Sequence, residues 1–257
     1  MRKILILISI IALFAACDSS SKMTKSSSSS HAYPPSEDFD LTNSDTKAIL
    51  IANQVMNAQG GYENWKNTHY ITWTFFGERT LLWDKFTGDV RIEMNKDLKN
   101  TIIVNINTGI GKAEKDGVEV TDKTELEKLL NIGKSVWIND SYWLVMPFKL
   151  KDSGVTLKYS KEGKTEDGND ADILELTFKD VGDTPDNKYE VFVDKSTKLV
   201  TQWAFFKTYE AETAQFITPW NDYESHGKIL LSGNRGKGNL TNIAVRESVK
   251  ETVFREL

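Results

Sequence analysis

The sequence predicts a mainly β (α+β) fold: an incomplete antiparallel β-barrel, or half-barrel, with helices covering its open mouth. Three observations carry this expectation. An apolar pattern of helical spacing in Ala48, Ile49, Ala52, Val55 and Met56 ends at Gly60-Gly61, and a strict alternation of Ile71, Trp73 and Phe75 with Thr72 and Thr74 follows. That strand period recurs through most of the later chain, interrupted by helical inserts. The chain also holds 7 Trp and 12 Phe, a composition that favours pleated surfaces and a wide apolar interior over a helical bundle.

The first helix is expected to start at Ser44 or Asp45, either of which can cap exposed amides, and to run to about Ala58 before the Gly60 stop. A further turn over residues 62–65 brings Trp65 toward the sheet. Strands are expected at 69–76, 79–84, 89–94 and 101–107, with Thr87-Gly88 as a hairpin corner. In the third of these, Val90, Ile92 and Met94 alternate with Arg91 and Glu93, so one face meets water. A short strand at 117–120 precedes a helix capped by Asp122, with Glu125 three residues on and Gly133 closing it. A second short helix is expected over 136–146, because Pro147 cannot continue it. Strands return at 155–159, 171–178, 188–194 and 198–207, with a polar hairpin loop over 161–170. Shorter ones are expected at 216–217, 228–232 and 240–245. No repeat of fixed period is present, which counts against propellers and solenoids.

The N-terminus reads as a processing segment. Arg2 and Lys3 precede an apolar run over 4–14 that is too short to span a bilayer, and the run ends in Leu13-Phe14-Ala15-Ala16-Cys17. These five residues resemble the lipobox of bacterial lipoproteins, with Phe14 where a small aliphatic residue is commoner. The resemblance implies cleavage before Cys17, a diacylglycerol thioether on its sulfur and acylation of the new amine. Cys17 is the only cysteine, so no intramolecular disulfide can form. Each buried methylene of the lipid contributes about 0.8 kcal/mol, and two or more chains anchor stably. Residues 1–16 are thus expected to be a signal peptide, 17–43 a lipidated Ser-rich tether, and 44–257 a single folded domain. Removing the signal peptide takes out two cations and shifts the net charge from −5 to −7, which argues against nucleic acid as a partner. The membrane, reached through the lipid, is the expected partner, and the chain is expected to be a monomer.

Several stretches carry a second resemblance: Gly60-Gly61 to Trp65, residues 83–88 (WDKFTG), residues 142–150 (YWLVMPFKL), Gly182-Asp183-Thr184-Pro185 and residues 189–194 (YEVFVD). Together with the lipobox they resemble an uncharacterised family of Gram-negative lipoproteins, similar to the superfamily of the periplasmic lipoprotein carrier and the outer-membrane lipoprotein receptor. The resemblance spans roughly residues 45–245. It implies a half-barrel with helices across the mouth, an apolar cavity for acyl chains and a place in the cell envelope, most often the outer membrane. The carrier of that superfamily holds and releases cargo with a cavity arginine. No arginine here matches it residue by residue, although Arg79 and Arg91 stand on strands.

Trp73, Phe75, Trp83, Trp203 and Phe205 recur at every second position of their strands, giving each strand an aromatic face. These five are the candidate ligand-binding wall, with Trp143 and Met146 on the helical lid. The same pattern also fits a barrel simply filled by its side chains, and that alternative stays open. Catalytic, metal and cofactor chemistry have weaker claims. His69 and His226 stand far apart without a metal-ligand spacing, no GxSxG elbow is present, and the 233–238 loop lacks the GK[ST] ending of a phosphate cradle. That loop is expected to be a flexible hairpin loop. Glu63, Glu78, Asp84 and Glu93 flank aromatics as glycosidase acids do, but the chain holds 37 acidic residues, so such neighbours arise by chance. The expectation is a noncatalytic protein without cofactor or metal.

Overall fold

A computed structural model describes residues 33–95, 100–179 and 186–257. The signal segment, Cys17 and the 182–185 motif lie outside the described residues. In chain order the elements are α1 (Thr46–Ala58), α2 (Tyr62–Asn67), β1 (Tyr70–Phe75), β2 (Arg79–Asp84), β3 (Asp89–Met94), β4 (Thr101–Asn105), β5 (Gly111–Lys115), β6 (Val118–Glu119) and α3 (Lys123–Val145). After a 3₁₀ turn (Met146–Phe148) come β7 (Val155–Lys164), β8 (Asp170–Phe178), β9 (Lys188–Asp194), β10 (Val200–Phe206), β11 (Phe216–Pro219), β12 (Asn221–His226), β13 (Ile229–Asn234) and β14 (Leu240–Arg246).

The strands form two large antiparallel sheets, β14-β1-β2-β3-β4-β5-β6 and β11-β10-β9-β8-β7, and a β12–β13 hairpin. Each large sheet keeps two unpaired edges among the described residues, so the barrel is not closed. The fold is mainly β with helices laid on its sheets, as the alternating pattern predicts.

Register explains the first core. Trp73 pairs with Leu81, Leu81 with Ile92, Ile92 with Ile102 and Ile102 with Ala113, one apolar file across five strands. Each Leu or Ile of this file contributes roughly 1.5–3 kcal/mol by its burial. The helix α3 lies on this face through Leu130, Leu144 and Val145. The inner face of the other sheet, with Leu157, Leu174, Val191, Val193 and Trp203, packs against Ala48, Ile51, Ala52 and Val55 of α1. Trp143 touches both clusters.

The structure corrects five details. One helix, α3, replaces the two expected over 122–146. Gly133 does not end a helix. A Cβ there would lie 2.8 Å from Ile102 Cγ2 and 3.2 Å from Val104 Cγ1, so the glycine lets α3 approach the sheet. The tether expected over 17–43 gives way to folded chain by Tyr33, since Tyr33 and Phe39 are buried and the Tyr33 hydroxyl donates to the Phe148 carbonyl at 2.7 Å. The 161–170 loop is shorter than expected, because β7 runs on to Lys164 and β8 starts at Asp170. And β5 and β12 escape the sequence pattern, β5 because Ala113 is its only buried side chain and β12 because it buries none.

The expected cap residues also work differently. Asp122 caps α3, accepting from the Glu125 amide at 2.9 Å. At α1, by contrast, Asp45 Oδ2 accepts from the Tyr159 amide at 2.9 Å and Ser44 Oγ from the Leu157 amide at 3.0 Å. These side chains fasten the start of the helix to β7. Gly60 is the stop for which it was read: its φ is +112°, and a Cβ there would lie 2.3 Å from the Lys228 carbonyl oxygen.

Candidate functional site

The second half of α3 carries Tyr142 and Trp143 toward the five-stranded sheet, while Trp137 packs edge-on against Trp83 of β2 at 5.2 Å. That sheet answers with Phe178 of β8, Tyr189 of β9 and Trp203 of β10. Tyr189 and Trp203 stack at 4.9 Å with rings 2° from parallel, and Trp143 meets Trp203 edge-on at 4.9 Å. Tyr142 lies 6.0 Å from both Trp203 and Phe178. A cavity of about 330 Å³ lies among these rings. Val155 and Ile138 complete the apolar wall, and Asn139, Ser141, Lys149, Asp152 and Ser153 supply its polar part.

The polar groups of this site are neutral or mutually paired. Lys149 and Asp152 form an ion pair with each other. Burial pushes the Tyr142 and Tyr189 hydroxyls above the usual phenol value, so both keep their protons. The Tyr142 hydroxyl and the indole nitrogens of Trp137 and Trp203 are buried without a hydrogen-bond partner among the described residues.

Of the residues expected to form a ligand wall, the structure brings Trp143 and Trp203 to this cavity. Met146 is fully buried beside them in the second cluster. Phe205 lies on the same face of β10, half-buried, 5.0 Å from Phe216 and 5.4 Å from Tyr189. Trp73, Phe75 and Trp83 pack in the other cluster, under the seven-stranded sheet, and do not line the cavity. Phe178 and Tyr189 were missed, although Tyr189, Val191 and Val193 alternate on one strand.

The arginines separate sharply. Arg79 is bound to Asp140 of α3. Arg91 faces the outer side of the seven-stranded sheet, where Nη1 donates to the Val253 and Glu256 carbonyls. The third, Arg235, is 4% exposed, in the loop expected to be a flexible hairpin loop. It inserts over the Trp220 ring at 3.6 Å and donates to Ser232 Oγ and to the carbonyls of Ser232, Asn234 and Trp143. Desolvation lowers its pKa to about 9. The only hint in the sequence is a lone cation among glycines and asparagines.

The candidate glycosidase acids do not converge on the cavity. Asp84 pairs with His69 and accepts from the Phe86 and Thr87 amides, and Glu93 pairs with Arg91. Neither they nor Glu63 and Glu78 line it. No cluster of three or more metal-ligating side chains occurs among the described residues, and none of their helices is long and apolar enough to cross a membrane.

No protein-family profile matches the chain, and no curated protein matches it by sequence. Among solved structures, it is similar to a domain from Vibrio parahaemolyticus named for outer membrane lipoprotein sorting. That likeness has 11% identity and a TM-score of 0.44 over 81% of this chain and 96% of the other. A DUF1329 family protein from Desulfovibrio piger is similar at 11% identity and a TM-score of 0.44, over 81% of this chain and 97% of the other. At such scores no residue role passes from either protein to this one.

Proposed function

We propose that the protein is a lipid-anchored lipoprotein of a Gram-negative envelope, most naturally of the outer membrane, whose folded body binds an apolar or amphiphilic molecule without catalysis. The ligand class is a lipid or an acyl chain. The observation that carries this reading is the aromatic-walled cavity of about 330 Å³ between α3 and the five-stranded sheet. Ligand sites are concave and mostly apolar, with a few polar groups that fix orientation. The lipobox-like stretch ending at Cys17 supports the anchor, and the scattered carboxylates give hydrolysis no paired acid and base. The protein acts as a monomer, without cofactor or metal.

A rival reading, an envelope interaction module with a filled barrel, draws on the other half of the molecule. There Trp73, Leu81 and Ile92 are fully buried, and Trp83 nearly so.

The test is to purify the full chain and its Ser153→Trp variant from envelopes and identify noncovalent lipid by extraction and mass spectrometry. Ser153 is a half-buried residue of the cavity wall, so the indole fills space without uprooting the core. A lipid or acyl compound carried by the parent and lost from an equally stable variant supports binding. A parent that stays empty across a panel of lipids leaves the interaction module.

A further inference from the structure

Two hairpin tips stand side by side at one end of the seven-stranded sheet, the β2–β3 turn over residues 85–88 and the β4–β5 turn over residues 106–110. The Ile106 amide donates to the Gly88 carbonyl at 2.9 Å, and the side-chain amides of Asn105 and Asn107 donate to the Thr87 carbonyl at 3.0 and 3.1 Å. Each tip presents one large apolar side chain to solvent, Phe86 at 56% exposure and Ile110 at 74%. The backbone around them is self-sufficient. Every N–H from Phe86 to Asp89 and from Ile106 to Ile110 finds an acceptor within the two turns, chiefly Asp84 Oδ1, Asn105 Oδ1 and the Thr87 and Thr108 hydroxyls. A backbone amide that leaves water without an acceptor is costly, so tips whose amides are bonded internally can leave water far more easily. The carboxylates of the tips are also occupied: Asp84 pairs with His69, and Asp89 accepts from Thr87 Oγ1 and Asn105 Nδ2 at 2.8 Å each.

Tyr33, the first described residue, lies beside this end of the sheet. Its ring stacks on Tyr62 at 5.8 Å, Tyr62 opens α2, and Lys85 Nζ stands 4.9 Å over the Trp65 ring of α2 while donating to the Lys66 carbonyl at 3.1 Å. Tyr33 follows Cys17 by sixteen residues, and a chain of that length reaches at most about 58 Å. Resting on the lipid anchor proposed above, we infer that this end of the sheet docks on the bilayer that holds the anchor, with Phe86 and Ile110 entering the boundary between headgroups and acyl chains. Lys66 and Lys85 flank Phe86, and their long stems can lie along the apolar boundary while the ammonium groups meet phosphates.

The test places the full acylated chain in phosphatidylcholine vesicles, with a nitrobenzoxadiazole label on the thiol of Ile110→Cys or, as the control, of Val118→Cys. Val118 is 68% exposed and opens β6, past the opposite end of β5. Acylation occupies the Cys17 sulfur, so each variant offers one reactive thiol, and both positions are exposed enough to spare the core. The expected result is a label at 110 that is shielded from aqueous iodide and quenched by nitroxides on the lipid acyl chains, with a label at 118 that meets iodide and escapes the nitroxides. Phe86→Ser in the chain labelled at 110 should lower the ratio of docked to undocked protein about tenfold, read as recovered iodide quenching. A chain that floats with the vesicles while both labels meet iodide alike overturns this inference and leaves the anchor standing. A chain that does not float with them overturns both.

Discussion

The guanidinium of Arg79 holds the carboxylate of Asp140 by both prongs, Nε to Oδ2 at 2.6 Å and Nη2 to Oδ1 at 2.7 Å. Asp140 is fully buried in the C-terminal part of α3, and Asn139 Nδ2 adds a hydrogen bond to its Oδ1 at 2.9 Å. Arg79 also lies over the Phe75 ring at 4.8 Å. One strand of the seven-stranded sheet thus grips the helix that walls the cavity, and the carboxylate keeps the Arg79 pKa above its ordinary value.

Breaking this pair from one side should be costly, because it leaves a buried carboxylate unpaired. Arg79→Met is expected to lose about 3 kcal/mol in urea unfolding. The double variant Arg79→Met/Asp140→Leu should recover most of that loss, since both charges then leave the interior together. A single variant within about 0.5 kcal/mol of the parent would mean that the pair does not hold the helix.

Gly133 fixes how closely α3 can lie on β4. Gly133→Val places a branched side chain where Ile102 Cγ2 and Val104 Cγ1 already stand at 2.8 and 3.2 Å from the would-be Cβ. Overpacking of this kind costs about 1–3 kcal/mol, beyond the small gain from replacing glycine in a helix. Ile102→Ala in the same chain should recover part of the loss. A Gly133→Val protein as stable as the parent in thermal unfolding would place the helix farther from the sheet.

The contrast between Gly60 and Gly133 shows how much of this fold the sequence makes legible. Gly60 follows a helix and precedes a strand, so its local setting reveals its role. Gly133 is identical in the sequence, but its reason lies with Ile102 and Val104, about thirty residues earlier on another element. The alternating strands were legible for the same local reason: β2 and β3 have the expected bounds because their alternation depends on the sheet faces alone. The site was legible only in part. Aromatic alternation marks faces, and it cannot say which faces enclose space: Trp73 and Trp203 carry the same pattern, yet only Trp203 borders the cavity.

Arg235 completes a hydrogen bond that proline removes. In a continuing helix the Trp143 carbonyl would accept from the amide four residues on, but that residue is Pro147, which has no N–H. Arg235 Nη2 takes its place at 2.7 Å. Arg235→Met should therefore destabilise the protein by about 2–3 kcal/mol. It should also speed hydrogen exchange in the last turn of α3, where Trp143 meets the cavity. Adding Pro147→Ala restores an N–H and should return part of the protection. Unchanged exchange at residues 144–148 in Arg235→Met would show that the carbonyl has no need of the guanidinium.

Lys151 gives stability an unusual dependence on pH. It is 3% exposed and donates to the Tyr33 carbonyl and to Asn53 Oδ1, with no carboxylate partner among the described residues. Burial lowers its pKa from 10.5 to about 8. Between those values the unfolded chain holds a proton that the folded protein has released, so stability rises with pH across that window. For this one group the slope is at most about 1.4 kcal/mol per pH unit. Lys85, likewise lowered to about 8 by burial, adds to the rise over the same window. Tyr33 opposes both above pH 10, because burial raises its pKa and the unfolded chain loses that proton first. Thermal unfolding should show a higher midpoint at about pH 9.5 than at about pH 7.5, and Lys151→Met should remove part of the rise, the rest belonging to Lys85. A midpoint that falls over this range equally in parent and variant would mean that Lys151 is solvated in the folded protein.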